Sequence, residues 1–428
     1  MDEALMEKLL ADYDADKYDH EGIKGKRMAE RLYQLSKIGL TDEGGSMRIG
    51  FSKEERQAKE LVKKWMREAG LNVREDGAGN VYGRLAGKND ALPAILAGSH
   101  VDTVPNGGHF DGTLGVVSAL EVVEAWRESG FQPERPFEAV IFTDEEGSRF
   151  NGGYLGSKAM MGQAKMEELL KWKDGNGMSF EEVLATDGLT ADSFKYARRN
   201  PEEMALYIEI HIEQGKRLEK AGLPCGIVNG IAGPAWFELT FEGKAGHAGS
   251  TPMPVRSDAL VAAGKFIYEL NKLPGQVSES AVATVGKLFV RPNGVNVIPG
   301  EVTLYADVRD IFGDEREKLI SKMRQLIREV EAEFSVKVAE KELVRISPVA
   351  IRPDVQEKLA EAMGEIGVEP MKLPSGAGHD AMIVGEKIPV AMIFVKSKDG
   401  ISHSPQEWSR LDDCVQAVRV LKKFVENY

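Results

Sequence analysis

Apolar positions along the chain fall into two periods. Between 52 and 70 (SKEERQAKELVKKWMREAG) they recur at Ala58, Leu61, Val62, Trp65 and Met66, one stripe of a 3.6-residue repeat, which predicts a surface helix capped by Ser52 and stopped at Gly70. Four other stretches are short unbroken apolar runs: PAILAG (93–98), FEAVIFT (137–143), ALYIEI (205–210) and VAMIFV (390–395). Their length and β-rich composition predict strands buried on both faces. Helical patterns separate them, as in GVVSALEVVEAWRESG from Gly115. The expected architecture is a larger α/β domain, with helices around a central sheet.

From about residue 230 the pattern changes. WFELTFEG (236–243) reads as a strand, SDALVAAGKFIYELNKL (257–273) as a helix, and AVATVGKLFV (281–290) and EVTLYADVR (301–309) as two more strands. GDEREKLISKMRQLIREVEAEF (313–334) then predicts a long helix and SVKVAEKELV (335–344) a last strand. The order β-α-β-β-α-β is that of a ferredoxin-like α+β unit. α/β patterning resumes afterwards, with helix-like DVQEKLAEAMGEIG (354–367) before VAMIFV. The expectation is therefore a small domain at 229–344 inserted into a larger one formed by 1–228 and 345–428.

Bulk numbers narrow the partners. At 428 residues two domains are the default, and 42% hydrophobic with 29% charged residues is an ordinary globular mix. A net charge of −13, with both signs mixed along the chain, argues against nucleic acid or an anionic membrane as partner. No apolar run reaches the length of a membrane span, and the two cysteines form no CxxC pair. The reading is a cytoplasmic protein whose positive charge for an anionic substrate must be supplied locally.

The candidate chemistry lies at strand ends. His100 follows the first buried run, His211 follows ALYIEI, and His403 sits just after VAMIFV; Asp144, Glu145 and Glu146 follow FEAVIFT, while Asp102 and Asp111 come soon after His100. Ligands of open α/β sheets bind beyond the carboxyl ends of the strands, so these side chains can converge. Mixed histidine and carboxylate ligands suit zinc, manganese, cobalt or nickel. So large a set is too much for one catalytic zinc with an open position and suits two ions sharing a carboxylate. HExxH, GxSxG, GxxxxGK[ST] and CxxC are all absent.

GSHVDTVPNGGHFDG, FTDEEGSRF, EIHIEQG, GKAGHAGSTPM, GVNVIPGEVTLYADVRD, SGAGHDAM and GISHSPQEW together resemble the amidohydrolase branch of the M20 metallopeptidase superfamily. That branch contains N-carbamoyl-L-amino acid amidohydrolases, allantoate amidohydrolases and β-ureidopropionases. The resemblance runs in order from about Arg48 to Trp408, and GIVNGIAGPAWF looks closer to the carbamoylases.

The resemblance implies two divalent ions (zinc, manganese, cobalt or nickel), with His100 and His211 on one, Glu146 and His403 on the other, and Asp111 between them. It makes Glu145 the general base and Asp102 the carboxylate that orients His100. Gln214, His247, Asn296, Arg309 and the Gly378–His379 backbone fall to substrate: His247 polarises the ureido oxygen, and Asn296 with Arg309 grips a carboxylate. The inserted domain becomes a dimerisation and lid element, hence a homodimer. The implied reaction is hydrolysis of an N-carbamoyl (ureido) C–N bond in a small ureido carboxylate. Its rivals are allantoate hydrolysis, β-ureidopropionate hydrolysis, dipeptide hydrolysis and a catalytically silent metal-binding scaffold. His109 and His20 match no motif and are expected at the surface.

Overall fold

A computed structural model describes residues 4–428. They form two compact units, one holding the chain up to 229 with 351–373 and 379–428, the other 230–350 with 374–378. In chain order the strands are β1 (Asn72–Glu75), β2 (Val81–Leu85), β3 (Ala94–His100), β4 (Phe137–Phe142), β5 (Met204–Ile212), β6 (Cys225–Ile231), β7 (Gly233–Glu242), β8 (Gly246–His247), β9 (Val282–Arg291), β10 (Val297–Ile298), β11 (Glu301–Asp310), β12 (Lys337–Arg345), β13 (Val349–Ala350), β14 (Lys372–Ser375) and β15 (Val390–Val395).

In the first unit the central sheet runs β1-β2-β4-β3-β5-β15-β6. The four inner strands β4, β3, β5 and β15 are parallel, and β2 and β6 flank them antiparallel. Every residue of β3, β4 and β15 is buried, which is why these strands read as unbroken apolar runs rather than alternating ones. The helix Thr113–Ser129 packs against β3 and β5 and is apolar nearly all round, as a helix enclosed by sheet and neighbours must be. The helix Lys53–Glu68 begins at Ser52, whose hydroxyl accepts from the Glu55 N–H, and buries Ala58, Val62, Trp65 and Met66. β5 extends two residues beyond the expected run, so His211 lies within the strand, opposite Phe394 of β15.

In the second unit the sheet order is β12-β7-β11-β9, all antiparallel. With the helices Ala259–Leu270 and Gly313–Phe334 this is the ferredoxin-like β-α-β-β-α-β arrangement. Burial alternates strictly along β11, because only one face is covered: Phe237, Leu239, Phe241, Val302, Leu304 and Val308 meet Phe266, Leu319 and Met323 of the helices. A side ribbon of β8 and β10 sets His247 opposite Val297. Among the described residues no helix is long and apolar enough to cross a membrane.

Candidate metal centre

The carboxyl ends of β3, β4, β5 and β15 share one edge of the sheet, and the loops that follow carry the ionisable groups. His100 ends β3, and the loop after it returns at Asp111, immediately before the helix Thr113–Ser129. Gly112 makes that return with φ +60°; a Cβ there would fall 2.3 Å from the His100 ring, so only glycine lets Asp111 and His100 approach. Asp111 Oδ1 is 3.5 Å from His100 Nε2 and 3.1 Å from His211 Nε2, while Oδ2 is 3.5 Å from His403 Nε2. His403 Nε2 is also 3.5 Å from Glu146 Oε2.

Two groups of donor atoms result, His100–Asp111–His211 and Asp111–Glu146–His403, each with its atoms within 4.8 Å of one another. They share Asp111, which makes the centre binuclear. A third group, Glu209–His211–His379, lies beside them. The donors fit divalent ions in detail. His100 Nδ1 lies 3.0 Å from the Asp102 carbonyl and His211 Nδ1 3.0 Å from the Ile212 carbonyl. A carbonyl only accepts, so both Nδ1 atoms carry hydrogen, and both Nε2 atoms are the ones turned inward toward the carboxylates. His100 Nε2 and Glu146 Oε1 are buried without a hydrogen-bond partner.

Charge points the same way. Burial pushes the Glu145 and Glu146 carboxyls well above the usual range, and neighbouring carboxylates push them further, Glu146 acting on Glu145 and Asp111 on Glu146. Burial also acts upward on Asp111, but His211 and His100 overcome it and hold that carboxyl well below the usual range. Crowded buried carboxylates of this kind are balanced by bound cations.

Surrounding groups fix the ligands. Asp102 touches His100 most closely through its carbonyl; its carboxylate is 3.5 Å from Nδ1 and accepts the backbone N–H groups of Glu145 and Glu146. Glu145 Oε2 is 3.7 Å from His100 Nε2. Gln214 Nε2 donates to Asp111 Oδ2 at 2.9 Å. Asp144, Gln214 and His403 all take positive φ, +52°, +55° and +54°, a sparsely populated region for side-chain-bearing residues that clusters at functional sites. His379 is buried, its ring centroid 4.4 Å from that of His211; burial, then His211, holds its imidazole well below the usual range and so neutral. His109 is not at the surface as expected. It is partly enclosed, with Nδ1 2.8 Å from the Ser46 hydroxyl, and burial pulls its imidazole down to about 4.

Two residues outside the sequence reading support the centre. Arg48 is fully buried, and its guanidinium donates to the carbonyls of Val101, Leu35 and Ile38 and to the hydroxyls of Ser46 and Thr113. Glu407 accepts the backbone N–H groups of Phe110 and Asp111. Its signal was a carboxylate four residues after His403 inside GISHSPQEW, a spacing with no ligand role of its own.

The remaining expected residues belong to the second unit. His247 is exposed on β8, and its Nδ1 accepts from the N–H groups of Gly249 and Ser250 at 3.1 Å. Nε2 therefore carries the hydrogen and is a donor. Asn296 is exposed in the turn before β10. Arg309, on β11, donates from Nε and Nη2 to Asp307 and from Nη1 to the Gly376 carbonyl. Gly378 lies two residues beyond that carbonyl, partly buried.

Residues 96–427 match the model of peptidase family M20/M25/M40. An N-carbamoyl-L-amino acid amidohydrolase from Geobacillus stearothermophilus is 43% identical over 399 residues, 93% of this chain and 97% of that one. The chain belongs to family M20/M25/M40. Within it, the protein falls in the hydantoinase/carbamoylase branch: an amidase of that family from Burkholderia multivorans has a crystal structure that superposes with a TM-score of 0.87 at 34% identity, over 95% of this chain and 98% of that one. An allantoate amidohydrolase from Bacillus subtilis is 36% identical over 387 residues, 90% of this chain and 93% of its own. This M20 chain is accordingly a hydrolase of the amidohydrolase type, with a binuclear divalent-metal site.

Proposed function

We propose that the enzyme hydrolyses the ureido C–N bond of N-carbamoyl-L-amino acids, releasing the L-amino acid, carbon dioxide and ammonia. The observation that carries this reading is the pair of donor groups joined at Asp111 with the Glu145 carboxylate beside them. His100 and His211 would hold one ion, Glu146 and His403 the other, and Asp111 would serve both. Bound there, divalent ions supply Lewis acidity toward the carbonyl and lower the pKa of water. Glu145 takes the proton from the attacking water and returns it to the leaving nitrogen, a transfer worth about a hundredfold to ten-thousandfold in rate. Its backbone is anchored on Asp102, so the carboxylate need not be ordered at each turnover.

From the second unit, His247 presents its Nε2–H to the ureido oxygen, where charge grows in the transition state. Arg309 and Asn296 grip the α-carboxylate. Arg309 has N–H groups left over after its bonds to Asp307 and Gly376, which supports that role. Gln214 and the Gly378–His379 segment complete the substrate contacts. Homodimerisation through the second unit is supported by its uncovered apolar residues, Leu260, Val261 and Tyr268 on one helix and Val282, Leu288 and Phe289 on β9. A cytoplasmic setting is supported by two buried unpaired cysteines, Cys225 and Cys414.

Allantoate remains the competing substrate, because the Bacillus subtilis relative that bears its name is 36% identical. Ammonia release from N-carbamoyl-L- and D-amino acids, allantoate, N-carbamoyl-β-alanine and dipeptides, with manganese, zinc, cobalt or nickel, decides between them. Release from N-carbamoyl-L-amino acids well above the rest is the expected result. Faster turnover of allantoate would overturn the assignment.

A further inference from the structure

His403 differs from the other histidines of the centre. His100 and His211 belong to buried strands and are 1% and 2% exposed, whereas the His403 side chain is 51% exposed on a loop. A ligand on an exposed loop must be held by its surroundings if its ion is to bind tightly. Four short polar contacts do so here. Glu407 Oε1 accepts the N–H of Phe110 at 2.9 Å and that of Asp111 at 3.1 Å. The Ser402 hydroxyl lies 3.0 Å from Glu407 Oε2 and 3.0 Å from Asp111 Oδ2. Ser402 has one hydroxyl hydrogen and two carboxylates in reach, so either of them holds it in place.

These contacts tie the loop carrying Asp111 to the loop carrying His403 across 296 residues of sequence. The site is made to measure for the carboxylate: a Cβ on Gly108 would lie 2.0 Å from Glu407 Oε1. The Glu407 N–H closes a turn onto the Ser404 carbonyl at 3.0 Å, and the Phe110 and Trp408 rings meet edge-on at 5.4 Å. Glu407 is 3% exposed and belongs to neither of the two donor groups that share Asp111.

We propose that Glu407, acting through Ser402, is a positioning residue that holds the His403 loop against Asp111 and so sets the affinity for the ion held by Asp111, Glu146 and His403, with little effect on the ion held by His100, Asp111 and His211. The inference rests on the two-ion reading of the site and not on the identity of the substrate.

The test is metal retention. Full-length enzyme loaded with Mn2+ is equilibrated against graded chelator-buffered Mn2+, and manganese per chain is measured by elemental analysis for the parent, Ser402→Ala, Glu407→Gln and the double variant. Glutamine keeps one oxygen for the two backbone N–H groups and puts a neutral amide donor where Ser402 had a charged acceptor. Each single variant should release its weaker-held ion at about tenfold to hundredfold higher free Mn2+, with the tighter ion shifted by less than roughly threefold. The double variant should be no worse than the worse single, because both remove one linkage. No shift, an equal shift of both ions, or additive shifts overturns the proposal. If Glu407→Gln lowers the melting temperature of the metal-stripped chain, Ser402→Ala decides alone. Normal retention behaviour with no ammonia release from N-carbamoyl substrates would sink the substrate assignment and leave this linkage standing.

Discussion

Asp102 Oδ1 accepts the backbone N–H of Glu145 at 3.2 Å, and its second oxygen takes the next N–H along the chain at 3.1 Å. One buried carboxylate thus anchors the backbone of two adjacent glutamates whose side chains reach different partners, Glu145 toward His100 and Glu146 toward His403. Neighbours in sequence are thereby given separate tasks.

The two glutamates should accordingly fail in different ways. Glu145→Gln should keep two ions per chain and lose about a hundredfold to ten-thousandfold in kcat, whereas Glu146→Gln should lose metal. Elemental analysis beside steady-state kinetics separates the two; retained turnover in Glu145→Gln would remove it as the base.

Chelation should abolish activity, and added Mn2+, Zn2+ or Co2+ should restore it. His403→Ala should hold less metal than the parent after the same dialysis, since it removes one of three donors in its group. Unchanged stoichiometry would show that His403 is no ligand.

Arg309→Met should raise KM for N-carbamoyl amino acids by roughly tenfold to a hundredfold, the worth of a charge-assisted hydrogen-bonded pair, with kcat less affected. An N-carbamoyl amine lacking the carboxylate is the control. Equal damage on both substrates would assign Arg309 to its pairing with Asp307 alone.

Arg48→Met should cost stability. It strands the carbonyls of Val101, Leu35 and Ile38 without their donor and removes a buried cation near Asp102 and Glu407. Losses of this kind run to about 3–5 kcal/mol, read as a fall in the urea midpoint at unchanged slope.

The pH dependence of stability carries a separate signature. Burial pushes the Asp413 carboxyl up to about 6, against the pull of Lys396 3.1 Å away. The folded state then binds a proton that the unfolded chain, near pH 3.9, has already released, so this contribution is full below pH 4 and is lost as pH rises through 6. Relative to Asp413→Asn, the parent should lose about 3 kcal/mol between pH 4 and pH 7. Urea midpoints of the two proteins that run parallel across that range would refute the assignment.

The inner sheet strands and the ferredoxin-like order were legible because both leave a plain period: unbroken runs where two faces are buried, alternation where one is. The candidate donors were legible as histidines and carboxylates at or after the ends of such runs, and the resemblance singled out five of them. The edge strand β1 and its neighbour β2 are only four and five residues long, and their runs did not stand out. Arg48 and Glu407 escaped for another reason. Both act through backbone groups supplied by segments far away in sequence, and no local pattern announces a side chain whose partner is a distant carbonyl or N–H. The enclosure of His109 depends likewise on Ser46, 63 residues before it.

β15 also sets a timetable. It fills the place between β5, which ends at Ile212, and β6, yet it begins only at Val390, after the whole second unit has been made. At ribosomal speed that interval is roughly ten to forty seconds. For that time the apolar edge of β5 is a nascent chain's open seam, and the donor group of Asp111 and Glu146 still waits for its third member, His403.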